Sequence, residues 1–210
     1  MLWLGNSNMK IYQFVLGPIA TNTYLVADEN SKKCFVVDPA WPSKELKAKI
    51  SAEGLTPEYI LLTHGHGDHT GGIDDLKAAY PEIKLVASRK ERSFLYDRHA
   101  SQGKGGIKAD KEVLDGEELS VGDILMQFLS TPGHTPGGMC IYVKQAGLLF
   151  SGDTLFHTSV GRTDLPGGNF TELMSSIKEK LFVLPDDTNV LPGHDAPTTI
   201  GYEKRYNPFV

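Results

Sequence analysis

The chain has 210 residues, of which 40% are hydrophobic and 22% are charged, a balance typical of a globular protein that buries a substantial core. This composition excludes a collagen-like, coiled-coil or intrinsically disordered chain. The 26 acidic residues outnumber the 21 basic ones, which gives a formal net charge of -5. A chain with this charge has no overall positive field to hold a phosphate backbone, so we expect no nucleic-acid partner.

The two cysteines and the lengths of the apolar runs indicate in which cellular compartment the protein is expected. Cys34 and Cys140 each lie in a short apolar run, which predicts reduced core residues rather than a disulfide framework. No stretch reaches the roughly 18 apolar residues that a membrane span needs, and the N-terminus lacks the pattern of a signal peptide. We therefore expect a cytoplasmic protein that does not enter a membrane.

The first half of the chain is predicted to form a three-stranded meander followed by alternating strands and helices. Turn residues separate short β-rich segments, and Leu46 and Ile50 have the spacing of one helix face. In chain order, the expected elements are strands at 11–17, 23–28 and 34–38, a helix at 43–53, a strand at 59–63, a helix ending near Tyr80, a strand at 83–87 and a helix at 89–97.

The second half repeats this mixture after a polar, glycine-rich segment at 98–110, which we expect to be a mobile loop rather than a linker between domains. Its glycines lack the spacing of a phosphate-binding loop. Beyond it we expect strands at 117–121, 124–130, 139–144 and 147–151, a helix at 171–182 and a strand at 189–191. Two comparable halves predict two packed sheets with helices on their outer faces, in one domain over residues 1–210.

The histidines are concentrated at the ends of predicted strands. Three motifs, THGHGDH (63–69), TPGHT (131–135) and LPGHD (191–195), contain five of the seven histidines, and a fourth motif, SGDT (151–154), supplies Asp153. Four strand ends can point their side chains at one rim of an α/β structure. The pattern His64-x-His66-x-Asp68-His69 arises by chance in about one chain in a thousand of this composition.

These residue types indicate a site for divalent ions. Imidazole nitrogens and carboxylate oxygens suit a borderline divalent ion, and the absence of cysteine from the motifs argues against a closed structural zinc site. Gly65 and Gly67 let the backbone turn, so that His64 and His66 can converge on one ion while Asp68 and His69 face another. Two ions about 3.5–4 Å apart can share a carboxylate and a hydroxide.

Isolated histidines are weaker candidates than those of the clustered motif. His134, His194 and Asp153 would be ordinary turn residues in another context, and the clustered motif is what makes them candidate ligands. His99 and His157 match no ligand position, and we expect neither of them to bind metal.

The motifs, in this order across nearly the whole chain, resemble those of the metallo-β-lactamase superfamily. Within it, GDTLF, GRTDLPGG (161–168) and the closing EKRYNPF (203–209) are similar to the glyoxalase II-like hydrolases, particularly the short single-domain bacterial kind. The resemblance implies an α/β (α+β) fold, a four-layer αββα sandwich with the metals at one edge between the sheets.

The resemblance also implies the ligand set. His64, His66 and His134 would hold the first ion; the second would be held by Asp68, His69 and His194, with Asp153 bridging the two. Asp38, in VVDPA, would orient a ligand histidine from outside the coordination sphere. The cofactors would be two divalent ions, expected to be zinc, with iron or manganese as alternatives.

The activity implied by the resemblance is metal-dependent hydrolysis of a small thioester, of the acylglutathione type. A metal-bound hydroxide would attack the carbonyl, and the thiolate would leave. The resemblance implies that Asp68, which would also orient the hydroxide, and Asp153 would be the catalytic carboxylates, so no serine or cysteine nucleophile would be needed. Three basic residues are candidates to meet an anionic substrate, unless they are ordinary structural charges: Arg162, Lys204 and Arg205.

Other functions stay open at this point. GRTD, GHD and the terminal NPF also resemble persulfide dioxygenases of the same superfamily. These enzymes hold a single iron with two histidines and a carboxylate, which here would be His64, His134 and Asp153. A non-catalytic metal-binding module would predict decay of a ligand position, and none is seen. GRTDLPGG argues against a β-lactamase, and a nuclease would need a further clamping domain.

Two departures from the resemblance concern the substrate. The chain ends about 15 residues after His194, without the C-terminal helical region with which full-length glyoxalase II enzymes help bind glutathione. Glutathione specificity therefore stays open. Asp-Ala-Pro follows His194 where many relatives have Gly-Pro, a change at the rim of the site. The oligomeric state also stays open.

Overall fold

Two β-sheets face each other in the computed structural model, which describes residues 2–4 and 8–210. Within this part of the chain, the first sheet has seven strands in the order β1-β2-β3-β4-β5-β6-β7. The second sheet has six strands in the order β15-β14-β11-β10-β9-β8, and β12 and β13 form a separate hairpin.

The first sheet starts as an antiparallel meander and continues with parallel strands. Its antiparallel strands are β1 (Leu2–Leu4), β2 (Met9–Leu16), β3 (Thr21–Asp28) and β4 (Lys33–Val37). Parallel to β4 run β5 (Thr56–Leu61), β6 (Lys84–Ser88) and β7 (Lys111–Val113). Because parallel strands end at the same edge, β4 and β5 bring Asp38 and the segment 63–69 to one rim.

The second sheet sends two further segments to the same rim. Its strands are β8 (Glu118–Val121), β9 (Ile124–Ser130), β10 (Met139–Val143), β11 (Leu148–Gly152), β14 (Asn189–Pro192) and β15 (Thr198–Thr199). Since β11 and β14 are parallel, Asp153 and His194 leave their strands side by side. The hairpin of β12 (Leu155–Phe156) and β13 (Ser159–Val160) follows Asp153.

Helices cover the outer faces of both sheets. They are α1 (Lys44–Ala52), α2 (Gly67–Thr70), α3 (Ile73–Ala79), α4 (Arg92–Tyr96), α5 (Arg98–Ser101), α6 (Phe170–Ser176) and α7 (Ile200–Tyr206). A π-helical turn, Ile177–Leu181, extends α6. At the start of α1, the Ser43 hydroxyl accepts a hydrogen bond from the Leu46 amide, and this cap fixes where the helix begins.

Three apolar layers hold these elements together. Between the sheets, Phe35, Phe128 and Phe150 belong to one buried cluster with residues from both sheets. Leu46 of α1 packs on the outer face of the first sheet, and Leu173 of α6 packs on that of the second. The order helix, sheet, sheet, helix confirms the expected αββα sandwich.

The predicted single helix between residue 64 and Tyr80 is wrong. Residues 64–66 form a loop, α2 has only four residues, and α3 begins after a break at Gly71 and Gly72. At Gly72, an added Cβ would lie 2.8 Å from the carbonyl oxygen of Trp41, so close packing of the backbone requires glycine there. The expected helix is therefore present only in part, as the short α2 and as α3, which ends at Ala79.

Several short strands and the last helix were not predicted. These are β1, β7, the β12–β13 hairpin, β15 and α7, and each strand among them is too short to show an alternating pattern. The segment 98–110 is not wholly a loop, because it starts with α5, which the Asp97 side chain caps. It then passes against the metal-binding motif, where an added Cβ on Gly67 would lie 2.6 Å from the carbonyl oxygen of Gln102.

No helix in the described ranges, 2–4 and 8–210, combines the length and the apolar character that crossing a membrane requires.

Candidate metal centre

The seven predicted ligand residues meet at one rim between the two sheets. They arrive on four separate segments, which follow β5, β9, β11 and β14. The side chains that meet there are His64, His66, Asp68, His69, His134, Asp153 and His194.

His64, His66 and His134 form the first cluster. Each offers a ring nitrogen, and these atoms lie within 4.8 Å of one another. His66 Nδ1 and His134 Nε2 are 2.9 Å apart. All three residues are buried, and His64 Nε2 has no hydrogen-bond partner within the described part of the chain. A buried polar atom without a partner is costly, so this arrangement of ring nitrogens fits a cation bound between the three rings.

Asp68, His69 and His194 form the second cluster. Asp68 Oδ2 lies 3.2 Å from His194 Nε2 and 3.3 Å from His69 Nε2. Three donor atoms of two chemical kinds thus face a common point from two segments of the chain.

Asp153 lies between the two clusters. Its Oδ1 is 3.3 Å from His69 Nε2, while its Oδ2 is 3.5 Å from His134 Nε2 and 3.6 Å from His194 Nε2. The carboxylate therefore faces members of both clusters, as a shared ligand must.

These separations fit divalent metal ions. Four ligands placed about 2.1 Å from a tetrahedral ion are about 3.4 Å from one another. The measured separations among Asp68, His69, Asp153 and His194 range from 3.2 to 3.6 Å. Nitrogen and oxygen donors at this spacing imply divalent ions, and zinc, iron and manganese all accept such ligands.

Asp38 orients the second cluster from behind. Its Oδ2 accepts a hydrogen bond from His69 Nδ1 at 2.9 Å, and its Oδ1 accepts one from the Thr63 amide at 2.8 Å. With Nδ1 carrying the proton, the lone pair of His69 Nε2 faces Asp68 and Asp153. Asp38 itself has a φ of +47°, a conformation that aspartate tolerates better than most residues.

Backbone and hydroxyl groups orient two further ligand candidates. His134 Nδ1 donates to the carbonyl oxygen of Arg162 at 2.7 Å, which leaves Nε2 free to face Asp153. Thr21 donates from its hydroxyl to Asp68 Oδ2 at 3.0 Å. The two contacts fix the tautomer of the imidazole and the orientation of the carboxylate.

Glu91 is a functional residue that the sequence did not reveal. One carboxylate oxygen accepts from the Gly65 amide at 2.9 Å, and the other accepts from the Gly137 amide at 2.7 Å. It thereby joins the loop of His64 and His66 to the loop of His134. The residue lies in the charged run RKER, which is typical of a solvated surface, so no local signal could have identified it.

Two histidines of the first cluster, His64 and His66, are poised as neutral ligands. Burial lowers the pKa of His64 well below its usual range, and neighbouring histidines lower it further. Burial, together with His134, lowers the pKa of His66 to about 4. Both rings are therefore uncharged at neutral pH, which is the form that binds metal.

The second cluster carries negative charge that its histidines partly compensate. Burial raises the pKa of Asp68, but hydrogen bonds with His194 and His69 outweigh it and lower that pKa well below the usual range. Burial lowers the pKa of His69, but Asp153 and Asp38 outweigh it and raise that pKa well above its usual value. The carboxylates are ionised, and the histidines can carry protons. A metal cation that binds here would displace those protons from the histidines.

A cleft of about 750 Å³ opens onto this centre. His66, Asp68, His134, Asp153 and His194 form its floor. Its walls are largely apolar, and Ile19 and Trp41 stand more than half exposed at 59% and 52%. The apolar lining consists of Pro18, Ile19, Trp41, Phe156, Val160 and Leu165.

The basic residues at the cleft already have acidic partners. Arg162, a predicted substrate contact, lines the cleft and donates two hydrogen bonds to Asp164, at 2.7 and 2.8 Å. Lys104, on the opposite segment, pairs with Asp74. Both pairs are exposed to solvent, so each contributes little to stability.

The other candidates lie outside the centre. Lys204 pairs with Asp186 at 2.5 Å, and neither Lys204 nor Arg205 belongs to the described residues that line the cleft. His99 is on α5, outside both clusters. His157 stacks on Tyr202 with ring centroids 5.0 Å apart, also outside the clusters.

The chain belongs to the metallo-beta-lactamase superfamily, whose family model matches residues 16–194. A probable metallo-hydrolase of Bacillus subtilis, YqgX, is 38% identical over 210 residues, covering 96% of this chain and 98% of the relative. The hydroxyacylglutathione hydrolase GloC of Haemophilus influenzae is 35% identical over 197 residues, covering 90% of this chain and 92% of the relative. These similarities identify a metal-dependent hydrolase of this superfamily.

Solved structures agree with this assignment. A crystal structure of BLEG-1, a B3 metallo-beta-lactamase, is 37% identical with a TM-score of 0.89, covering 95% of this chain and 98% of that one. The structure of TTHA1623 in a di-iron-bound form is 36% identical with a TM-score of 0.83, covering 95% of this chain and all (100%) of that one. The fold is therefore that of metallo-beta-lactamases, as the sequence motifs implied.

Proposed function

We propose that this protein hydrolyses a small thioester of the acylglutathione type, using two divalent ions held by the seven clustered side chains. The observation that carries the proposal is the position of Asp153. Its carboxylate faces both donor clusters and forms part of the cleft floor. A substrate in the cleft would therefore lie directly against both ion sites.

The side chains divide the work between holding the ions and handling the attacking water. His64, His66 and His134 would hold one ion, and Asp68, His69 and His194 the other. When bound, the ions supply Lewis acidity and a nucleophilic water at neutral pH. Asp68 stays ionised because its pKa is lowered, and it faces the cleft, so it can accept a hydrogen bond from that water and orient it.

Neither cysteine can serve as the nucleophile instead. Cys34 and Cys140 are both buried, and neither lines the cleft. Burial raises the pKa of Cys34 to about 12 and that of Cys140 to about 11, so both remain protonated at neutral pH. Water is thus the nucleophile that the site itself supports. Buried, reduced cysteines also fit the cytoplasm, which we propose as the compartment.

A thioester suits both the site and the relatives. A thiolate with a pKa of about 8.5 leaves without prior protonation, so the reaction needs no general acid beside the leaving group. The apolar walls of the cleft suit an acyl group, and the exposed Arg162 can meet a carboxylate. The name of GloC, hydroxyacylglutathione hydrolase, points to the same chemistry in a relative of nearly the same length.

We propose zinc as the metal; the di-iron form of TTHA1623 keeps iron as an alternative.

The test is a comparison of three substrates with zinc-loaded and iron-loaded protein. We expect S-lactoylglutathione to be hydrolysed with kcat/KM of at least about 10⁴ M⁻¹s⁻¹, the low end for a natural substrate, and chelated protein to be inactive. Oxygen uptake with glutathione persulfide and one iron per chain would instead identify a dioxygenase. Rapid hydrolysis of a chromogenic cephalosporin, with no thioesterase activity, would identify a β-lactamase.

A further inference from the structure

The closing motif EKRYNPF has no part in the metal centre, yet two of its side chains are buried in an otherwise exposed segment. Glu203 is 1% exposed and Asn207 is 7% exposed. They are four residues apart, so they lie on the same side of α7, which ends at Tyr206. Burial of a carboxylate requires hydrogen-bond partners, and these partners show what the motif does.

Both side chains bind the backbone of the β12–β13 hairpin. Glu203 Oε2 accepts a hydrogen bond from the Thr158 amide at 2.9 Å, and Asn207 Nδ2 donates to the Ser159 carbonyl oxygen at 3.0 Å. Asn207 Nδ2 also donates to Glu203 Oε2 at 2.9 Å, which ties the two side chains together. Thr198 donates from its hydroxyl to the other oxygen of Glu203.

The hairpin needs such support at its tip. Thr158 has a φ of +54°, an unfavourable conformation for a β-branched residue. A residue persists in this region only when its surroundings hold it there. The contacts from α7 fall on Thr158 and on the next residue, Ser159, and therefore on the strained turn itself.

The same hairpin forms one wall of the cleft. Phe156, Ser159 and Val160 line the cleft, and Arg162, two residues further on, provides the carbonyl oxygen that orients His134. A displaced hairpin would move the substrate wall and loosen the support of one metal-ligand candidate. Glu203 of α7 and Asn207, the residue after it, are not among the described residues that line the cleft, yet they can influence both through the hairpin.

We propose that Glu203 and Asn207 are positioning residues, which hold the β12–β13 hairpin so that the cleft keeps the shape that binds substrate. The substrate part of this proposal rests on the thioesterase function proposed above. Its structural part, the attachment of the hairpin to α7, does not depend on which substrate is used.

The experiment compares four variants of the full-length, metal-loaded protein. Glu203→Ala and Asn207→Ala remove contacts to the hairpin. Glu203→Gln can keep them, since its amide oxygen can accept from Thr158 while its NH₂ donates to Thr198. Asp186→Ala is the matched control, because it removes another side-chain contact of α7, the ion pair with Lys204, and does not touch the hairpin.

The readouts are hydrogen exchange of residues 155–162 and the steady-state constants for S-lactoylglutathione. We expect Glu203→Ala and Asn207→Ala to speed exchange in this segment at least tenfold and to raise KM about tenfold, with kcat within about threefold. Glu203→Gln and Asp186→Ala should resemble the wild-type protein in both readouts. If Glu203→Ala does not fold, Asn207→Ala and Glu203→Gln give the answer.

The two proposals fail in different ways. Unchanged exchange at 155–162 in Asn207→Ala, or an equal increase in Asp186→Ala, would overturn the positioning role whatever the substrate. Faster exchange with an unchanged KM would overturn its link to substrate binding. Absence of thioesterase activity in the wild-type protein would overturn the proposed function, and hydrogen exchange would still decide whether α7 holds the hairpin.

Discussion

Replacing Asp153 by Asn is expected to lower kcat/KM by at least about 1,000-fold, which corresponds to about 4 kcal/mol of transition-state stabilisation. The carboxylate faces His69, His134 and His194 at 3.3 to 3.6 Å. Asn keeps the shape but loses the negative charge and one of the two acceptor oxygens, so it cannot serve two ions equally. The measurement is steady-state hydrolysis of the thioester at saturating metal.

Asp187→Asn is the matched control for this substitution. Asp187 is exposed and lies before the start of β14, whereas His194 lies after the end of this strand. The length of β14 therefore separates Asp187 from the metal centre. We expect its kcat/KM to stay within about twofold of wild type, because surface substitutions have small effects. Full activity in Asp153→Asn would contradict the role of Asp153 as a shared ligand.

Chelation of the two bound ions is expected to lower the midpoint of thermal unfolding by at least about 15 °C at pH 8. Each ion, when present at about 1,000 times its dissociation constant, adds about 4 kcal/mol to the free energy of unfolding, so two ions add about 8 kcal/mol. In a chain of this size each kcal/mol shifts the midpoint by about 2–4 °C. Thermal unfolding with and without a chelator measures the shift, and re-addition of zinc should restore it.

This shift should shrink between pH 8 and pH 6. Burial lowers the pKa of His69 and of His194, but their carboxylate neighbours outweigh burial and raise both values. In the chelated protein, the contacts of the protonated His69 and His194 with their carboxylate neighbours therefore stabilise the fold. This contribution is fully present below about pH 6.5 and is lost as the pH rises through the raised pKa values. Bound ions must displace the same protons, so ion binding weakens as the pH falls. A change in the unfolding midpoint on chelation that is larger at pH 6 than at pH 8, or no change at either pH, would contradict the proposed metal centre.

The sequence was sufficient to predict where the ligand candidates meet, for a physical reason. His64, His66, Asp68 and His69 lie in a segment of six residues, shortly after a strand, β5, whose last two residues are buried. Strand ends converge at one rim in packed sheets, so the partners on other segments could be anticipated from their own strand-end motifs. The αββα arrangement followed from the motif order and from the alternation of strands and helices.

The contacts that support the ligands could not be predicted in the same way. Glu91 and Thr21 reach the centre through tertiary packing, and neither stands in a motif. His134 is oriented by a backbone carbonyl, that of Arg162, which carries no side-chain signal. Sequence patterns report local periodicity and residue chemistry, whereas these contacts depend on how distant segments pack.

Local propensity also misled where the backbone must serve the site. The segment from residue 64 to Tyr80 was interpreted as one helix ended by Pro81, but the motif needs an irregular loop to turn His64 and His66 inward. The hairpin at 155–160 has two residues in each strand, too few for a period to be recognised. The hydrogen bond between this hairpin and Glu203 depends on the three-dimensional position of α7, which the sequence pattern does not give.

The most direct test of the central claim, that seven side chains bind two divalent ions, is the metal content of the purified wild-type protein. Elemental analysis after saturation with zinc and extensive dialysis gives the number of ions per chain. We predict two ions per chain. One ion or none would contradict a binuclear centre.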